Sequence, residues 1–279
     1  MTPLIPYFYI HEIEVMGAIT LKAPGVLLSI GLIAGSVASL IKARRDHLKP
    51  ELIIGILPLL FAGLLVGGHV GHVLFYQPAS LANEPMILLR IWDGQSSFGG
   101  LILCTVLWLW YFRQKAHTPQ GSRPNSWAYA DAILYGGTLG WFFGRMGSFV
   151  VHDYPGRETQ FWLAVVGICP SRSKTIACHD LGLYEACLAL GFFILFTILD
   201  RKPRFPGFFV AALAVLYGVA RFLLDDLRHP LLDVRYFGLT PAQYGSVFLV
   251  GFGIWVFMTH RDNEDSGQDR GTDLGPKIV

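Results

Sequence analysis

The chain has 279 residues, of which 53% are hydrophobic and only 15% are charged, and its mean hydropathy is +0.47. Soluble domains usually carry about 25% charged residues, so this composition excludes an ordinary water-soluble globule and favours an integral membrane protein. The formal net charge is only +2, and the sequence has no basic tract of the kind that binds nucleic acid.

Seven apolar runs are each close to the ~20 residues that a helix needs to cross a hydrocarbon core. They show no alternation of period two, which favours helices over the strands of a barrel. The third run is the weakest, because polar residues mark its start. We therefore predict an all-α integral membrane protein with about seven transmembrane helices, at residues 24–41, 52–75, 97–112, 128–150, 181–199, 206–225 and 242–259.

The basic residues between these runs predict the orientation of the chain. Basic clusters follow the first, third, fifth and seventh runs, and the positive-inside rule makes that side cytoplasmic. The N-terminus is then periplasmic and the C-terminus cytoplasmic, although Arg157 and Arg228 are among several basic residues on the other face. We predict one polytopic membrane domain over residues 1–260 and a polar, disordered cytoplasmic tail over residues 261–279.

The four cysteines are too few for a disulfide scaffold. Cys104 and Cys187 lie in apolar runs, where small apolar packing is their simplest role. Cys169 and Cys178 share one outer loop, and in an oxidising compartment they either pair or remain free thiols. Their spacing does not match a pattern of metal ligands, so we expect no metal site.

Arg145 is the first candidate for function. It lies in the fourth run, where a cation is costly and normally faces a polar cavity or a partner. Glycines recur every four residues in the same run, at Gly136, Gly140 and Gly144, and such a stripe of small residues lets helices pack closely. Packing explains these glycines, but it does not explain the arginine beside them.

Tyr217, Arg221 and Asp225 are spaced by four residues in the sixth run and therefore share one helical face. One interpretation is a local ion pair between Arg221 and Asp225 that stabilises only the helix end. The other is that Arg145 and Arg221 share an anionic ligand, because the planar guanidinium group binds phosphate through two parallel hydrogen bonds. Glu185, one turn into the fifth run, also needs a cation, and either arginine is a natural partner.

Five motifs in fixed order resemble the prolipoprotein diacylglyceryl transferase family over about residues 6–260. In that family, a diacylglyceryl group passes from phosphatidylglycerol to the lipobox cysteine thiol of a prolipoprotein, in the bacterial inner membrane. The resemblance implies that the partners are phosphatidylglycerol, prolipoprotein signal peptides and the bilayer, without a cofactor or nucleic acid. The motifs are GGHVGHVLFY (67–76), RIWDGQSSFGG (90–100), GWFFGRMGSFVVHDYPGR (140–157), HDLGLYEACL (179–188) and YGVARFLLDDLR (217–228).

The resemblance also implies roles for single residues. Arg145 and Arg221 match the two arginines regarded as essential in the family. The family's proposed general base, a histidine, is replaced here by Phe98, so we predict that His152 or Asp153 takes this role. The residues implied in substrate binding are Tyr217, Asp225, Ser148, His179, Tyr184, Glu185, Gly99 and Gly100.

The missing histidine supports an alternative hypothesis, a catalytically impaired membrane protein that binds lipid or lipoprotein on the same scaffold. A third hypothesis is a transporter or channel, which an internal inverted repeat would favour. Comparison of the two halves of the sequence shows no such repeat. The two retained arginines favour chemistry at a lipid phosphate, and the transferase is our leading prediction.

Overall fold

The structure is a computed structural model that describes residues 5–15, 19–78, 81, 84–90, 94–116, 124–170, 175–229 and 235–265. Each of the seven apolar runs forms a helix in this part of the chain. The helices are α1 (Ala23–Arg45), α2 (Pro50–Tyr76), α3 (Ser97–Ala116), α4 (Ser126–Val151), α5 (Leu181–Leu199), α6 (Phe208–Asp225) and α7 (Pro241–Asp265).

Five of these helices, α1, α2, α5, α6 and α7, are long and apolar enough to cross a membrane. The chain is therefore a multi-pass helical membrane protein. Helix α3 carries Arg113 and Lys115 in its last turn, and α4 contains Asp131 and Arg145. That α3 and α4 also cross the membrane stays a prediction, and so does the orientation of the termini.

The chain divides into two compact units, one made of Met1–Lys42 with Trp127–Asp269 and the other chiefly of Ala43–Ser126. The prediction of a single domain over residues 1–260 is not decided by this division. The predicted tail begins at Arg261, but the chain continues helix α7 as far as Asp265. Residues 266–279, which make up the rest of that tail, lie outside the described residues.

In the second unit, glycines let α2 and α3 approach closely. A Cβ atom added to Gly67 would lie 2.6 Å from the carbonyl oxygen of Gly99, and one added to Gly71 would lie 2.6 Å from the Cα of Gly99. A Cβ atom on Gly100 would lie 3.3 Å from the carbonyl oxygen of Leu64. These glycines therefore place the backbones of α2 and α3 in direct contact, as expected for helices in a bilayer.

In the first unit, α1 and α4 pack in the same way. A Cβ atom on Gly31 would lie 2.6 Å from the carbonyl oxygen of Gly140, and one on Gly35 would lie 2.9 Å from the carbonyl oxygen of Gly136. The glycine stripe predicted in the fourth run is thus a helix-packing surface. Helix packing therefore accounts for these glycines, but it does not account for Arg145.

Helix α6 begins next to a buried carboxylate of α4. Gly207, at the N-cap of α6, has a φ of +96°, which suits glycine, and it offers no side chain to cap the helix. Asp131 replaces that cap, because its carboxylate accepts hydrogen bonds from the backbone N–H groups of Gly207 (2.7 Å) and Val210 (2.9 Å). This arrangement fixes the start of the helix that carries Arg221.

Among the residues that the structure describes, two small antiparallel sheets accompany the helices, and they were not predicted from the sequence. Strands β1 (Glu12–Val15) and β2 (Ile19–Lys22) form a hairpin directly before α1. Strands β3 (Pro155–Glu158), β4 (Val165–Val166) and β5 (Ala177–Asp180) form a sheet in the order β3-β5-β4. Because β3 follows α4 and β5 leads directly into α5, this sheet brings the end of α4 to the start of α5.

Cys169 and Cys178 form a disulfide beside this sheet, with Cα atoms 5.4 Å apart. Of the two alternatives left open by the sequence, the structure therefore shows the paired form. Both half-cystines are buried with Val165 and Ile168 in a small apolar cluster. The disulfide thus ties the loop before β5 to the sheet.

Candidate active site

Glu185 is the centre of a charged cluster in the first unit. Its side chain on α5 is fully buried, yet it contacts two cations from two other helices. The Nε of Arg145, on α4, lies 2.7 Å from Oε2, and the Nη1 of Arg221, on α6, donates a hydrogen bond of 2.7 Å to Oε1. The sequence predicted that either arginine would pair with Glu185, and the structure shows that both do.

The two arginines are not equivalent. Arg221 uses its second terminal nitrogen, Nη2, to donate to the hydroxyl of Tyr154 (3.0 Å), and the same nitrogen lies 3.2 Å from a carboxylate oxygen of Asp225. Arg145 contacts Glu185 through Nε, and no described residue accepts a hydrogen bond from its Nη1 or Nη2. Its side chain is also 28% exposed, compared with 14% for Arg221. Arg145 is therefore the arginine whose paired N–H groups can receive an anion.

Tyr154 connects the cations of the site, and we did not predict this residue. The guanidinium carbons of Arg145, Arg221 and Arg228 lie 5.7, 5.9 and 5.0 Å from the centre of its ring, which is cation–π range. Its position in the third motif, at residues 140–157, was visible in the sequence. No spacing rule, however, links a tyrosine in the loop after α4 to Arg221 in α6 and to Arg228 in the loop after α6.

Asp225 holds the C-terminal end of α6. Its carboxylate is fully buried, pairs with Arg221 and, at 3.6 Å, with Arg228, and accepts a hydrogen bond from the hydroxyl of Thr240. The local ion pair weighed in the sequence is therefore present, together with the shared contact at Glu185. Tyr217, one turn before Arg221, packs its ring edge-on against Trp141 at 4.8 Å.

Both ring nitrogens of His152 are engaged within the protein, which argues against a direct role of this side chain at the substrate. Nδ1 lies 2.6 Å from an oxygen of Asp180, and Nε2 lies 2.7 Å from the carbonyl oxygen of Phe8. A carbonyl oxygen can only accept, so Nε2 is the donor to Phe8, and this leaves Nδ1 facing the Asp180 carboxyl group. With both ring nitrogens facing acceptors, His152 presents no lone pair to a thiol in this conformation.

Asp153, the other predicted base, is half-exposed and lies near Arg145. Partial burial raises the pKa of its carboxyl group above the ordinary aspartate value, while a hydrogen bond from Ser148 and the charge of Arg145 act in the opposite direction. The structure thus brings together Ser148, Asp153 and Arg145 at the end of α4. The base role of Asp153 stays a prediction.

The remaining predicted residues fall in two places. Nδ1 of His179 lies 2.8 Å from the hydroxyl oxygen of Tyr184, and partial burial lowers the pKa of the imidazole. Gly99 and Gly100 belong to the second unit, where they pack α3 against α2. The side chain of Phe98 lies outside the described residues.

Comparison with known proteins identifies relatives along most of the chain. A family model described as prolipoprotein diacylglyceryl transferase matches residues 12–259. A phosphatidylglycerol–prolipoprotein diacylglyceryl transferase of Solidesulfovibrio magneticus is 30% identical over 260 residues, which cover 91% of this chain and 95% of that protein. Proteins of the same name from Zymomonas mobilis (31% identity, 82% of this chain and 79% of the relative) and Haemophilus influenzae (36%, 69% and 72%) are also similar.

Proposed function

The chain belongs to the prolipoprotein diacylglyceryl transferase family, and we propose that it transfers a diacylglyceryl group from phosphatidylglycerol to the lipobox cysteine thiol of prolipoproteins. It is a transferase and a multi-pass membrane protein. The bacterial inner membrane, where both proposed substrates meet, is its proposed location. The transfer requires no cofactor, because the phosphodiester itself provides the leaving group.

The arrangement around Arg145 carries this proposal. Its Nε is held at Glu185, while Nη1 and Nη2 have no acceptor among the described residues. Two parallel N–H groups match two oxygens of a phosphate, so Arg145 is suited to bind the phosphodiester of the lipid. Arg221, fixed by Glu185, Tyr154 and Asp225, adds a second positive charge that does not need to move.

The chemical step places growing charge near these cations. The cysteine thiolate attacks the glyceryl carbon that carries the phosphate, a C–S bond forms, and the C–O bond to the phosphate oxygen breaks. The electron pair of the broken bond stays on glycerol phosphate, whose charge increases as it departs. Cations fixed before the reaction stabilise such a transition state without further reorganisation, and this is commonly the largest catalytic contribution.

Asp153 is our proposed acceptor of the thiol proton. Only the thiolate is an effective nucleophile, so a base must act before or during attack. The raised pKa of Asp153 makes it a stronger base than an ordinary aspartate, and its position near Arg145 places it beside the proposed phosphate. His152, in contrast, has both ring nitrogens engaged.

The deciding experiment uses purified protein in vesicles that contain phosphatidylglycerol, with a lipobox peptide as acceptor. Mass spectrometry should detect a thioether-linked diacylglyceryl group, and equimolar glycerol phosphate should be released. Arg145→Lys retains the charge but loses the paired N–H groups, so we expect a rate at least ~10²-fold lower. Arg204→Lys is the matched control, because among the described residues Arg204 contacts only the Leu199 carbonyl and the Phe208 ring, near the start of α6.

Each outcome of this experiment has one meaning. Absence of transfer by the wild-type protein, with lipid still bound, would favour the alternative of a lipid-binding protein without turnover. Transfer that is equally fast in wild type and Arg145→Lys would reject Arg145 as the phosphate ligand. Equal losses in Arg145→Lys and Arg204→Lys would show that the loss is not specific to the site, and would also reject the assignment.

A further inference from the structure

We propose that His152 and Asp180 form a positioning pair that joins the end of α4 to the start of α5 and thereby holds Arg145 against Glu185. This inference rests on the proposed function for its kinetic test. Neither residue touches the proposed substrates in this role. The pair acts through the two helices that carry the reacting cluster.

The geometry of the pair is that of a buried link. His152 is 9% exposed and Asp180 is fully buried, and Nδ1 of the histidine lies 2.6 Å from Oδ2 of the aspartate. The second carboxylate oxygen of Asp180 accepts a hydrogen bond of 3.0 Å from the backbone N–H of Leu183 and so caps α5. One carboxylate thus closes the first turn of α5 and binds the residue that follows α4.

The sequence positions connect this link to the active site. Arg145 lies seven residues before His152, which is about two helical turns, and Glu185 lies five residues after Asp180. A helix transmits the position of its end to residues one or two turns away. The His152–Asp180 contact therefore sets how far α4 and α5 can slide past each other at the Arg145–Glu185 pair.

The backbones of the two helices meet at the same place. A Cβ atom on Gly182 would lie only 3.0 Å from the backbone nitrogen of Phe149 and 3.1 Å from the Cβ of Ser148. The N–H of Leu181 also donates to the carbonyl oxygen of Tyr154 at 3.1 Å. The side-chain link is thus part of a close helix contact that has little room for adjustment.

The backbone of His152 indicates that this contact is maintained against a local preference. Its φ is +47°, in the left-handed region that residues with a side chain seldom adopt. Two hydrogen bonds offset that preference, one to Asp180 and one to the carbonyl oxygen of Phe8. Through Phe8, and through the hydrogen bond from Ile10 N–H to Val150 O (2.9 Å), the N-terminal segment joins the same link.

Asp180→Asn is the central test variant, because asparagine still caps α5 but no longer presents a carboxylate to His152. Small displacements of a reacting group cost up to ~10²-fold in rate, so we expect kcat to fall at least ~10-fold with little change in KM for phosphatidylglycerol. Asp131→Asn is the matched control, since it alters another buried helix-capping aspartate at the start of α6. The control should lose thermal stability without the loss in kcat.

Three further variants complete the design. His152→Asn keeps a residue that tolerates the left-handed conformation, and the double variant with Asp180→Asn should be no slower than the slower single variant, because both remove one contact. Gly182→Ala forces a Cβ atom against the end of α4 and should lower kcat in the same way. Wild-type kcat in Asp180→Asn, or additive losses in the double variant, would overturn the positioning role. A far greater loss in His152→Asn than in Asp180→Asn would make His152 a catalytic group instead.

A measurement that does not depend on enzymatic activity, hydrogen exchange, separates this inference from the proposed function. If the wild-type protein transfers no lipid, the proposed function fails, but hydrogen exchange still reports the link. Asp180→Asn should then accelerate exchange of the Ile10 amide and of residues 150–153, whereas Asp131→Asn should not. Unchanged exchange in these segments would overturn the link itself.

Discussion

Glu185→Gln removes the one negative charge that Arg145 and Arg221 share, while it keeps the size of the side chain. Loss of one member of a buried ion pair costs about 3–5 kcal/mol, because the remaining charge is left without a partner. Arg145 is 28% exposed, and Arg221 keeps Tyr154 and Asp225. Water and these partners reduce the expected cost to about 2–3 kcal/mol.

Thermal unfolding in lipid nanodiscs measures this cost. Each kcal/mol lowers the midpoint of a domain of this size class by roughly 2–4 °C, so we expect a midpoint about 4–12 °C below wild type. Glu84→Gln is the matched control. Glu84 pairs with Arg90 at 2.5 Å, but the two side chains are 54% and 45% exposed, and such pairs contribute only about 0–1 kcal/mol.

The same variant should also be slow in the transfer assay. Both arginines remain, so phosphatidylglycerol should still bind, but Arg145 loses the contact that fixes its guanidinium group. We therefore expect a lower kcat and little change in KM. A midpoint equal to that of Glu84→Gln, together with wild-type transfer, would refute the reasoning that Glu185 holds the two cations in place.

Three further predictions concern neighbouring features. Tyr154→Phe keeps the ring but removes the hydroxyl that accepts from Arg221, so kcat should fall by about the value of one hydrogen bond to a charged group, ~10-fold, in a steady-state assay. Because burial raises the pKa of Asp153, the acid limb of the rate–pH profile should lie above the ordinary aspartate value of about 3.9, and Asp153→Asn should abolish that limb. The same raised pKa affects folding in the opposite direction to activity. Its contribution to the free energy of unfolding is present at low pH and is lost as the pH rises through the folded-state pKa of Asp153. Reduction of Cys169–Cys178, which closes a short loop, should cost about 2–3 kcal/mol and lower the unfolding midpoint, and Cys169→Ser should make the midpoint insensitive to reductant.

The helices were predictable because apolar runs near the length of a membrane span leave the backbone few alternatives. All seven runs are helices, and the bounds differ by only a few residues. The two sheets were not predictable in the same way. Their strands have two to four residues, which is too short for a period-two pattern, and β5 pairs with β3 across a separation that only the folded chain defines.

The charged cluster was predictable in part, because a buried charge in an apolar run requires a partner. That rule identified Arg145, Arg221 and Glu185, and it left open which arginine Glu185 would choose. It could not identify Tyr154, whose role depends on a loop that lies among three cations. Nor could it reveal the engagement of His152, which depends on a backbone carbonyl 144 residues away in the chain.

The carboxylate between the arginines has a consequence for selectivity among anions. A bare pair of guanidinium groups would attract nucleotides, sulfate and inorganic phosphate from the surrounding solution. In the function that we propose, Glu185 is a resident counter-ion of both arginines, so a dissolved anion would gain little by displacing it. A headgroup anchored in the bilayer is confined near the site at a high effective concentration, and it can compete where a freely diffusing ion cannot. The membrane would thus contribute to recognition by confining the preferred ligand to the neighbourhood of the site.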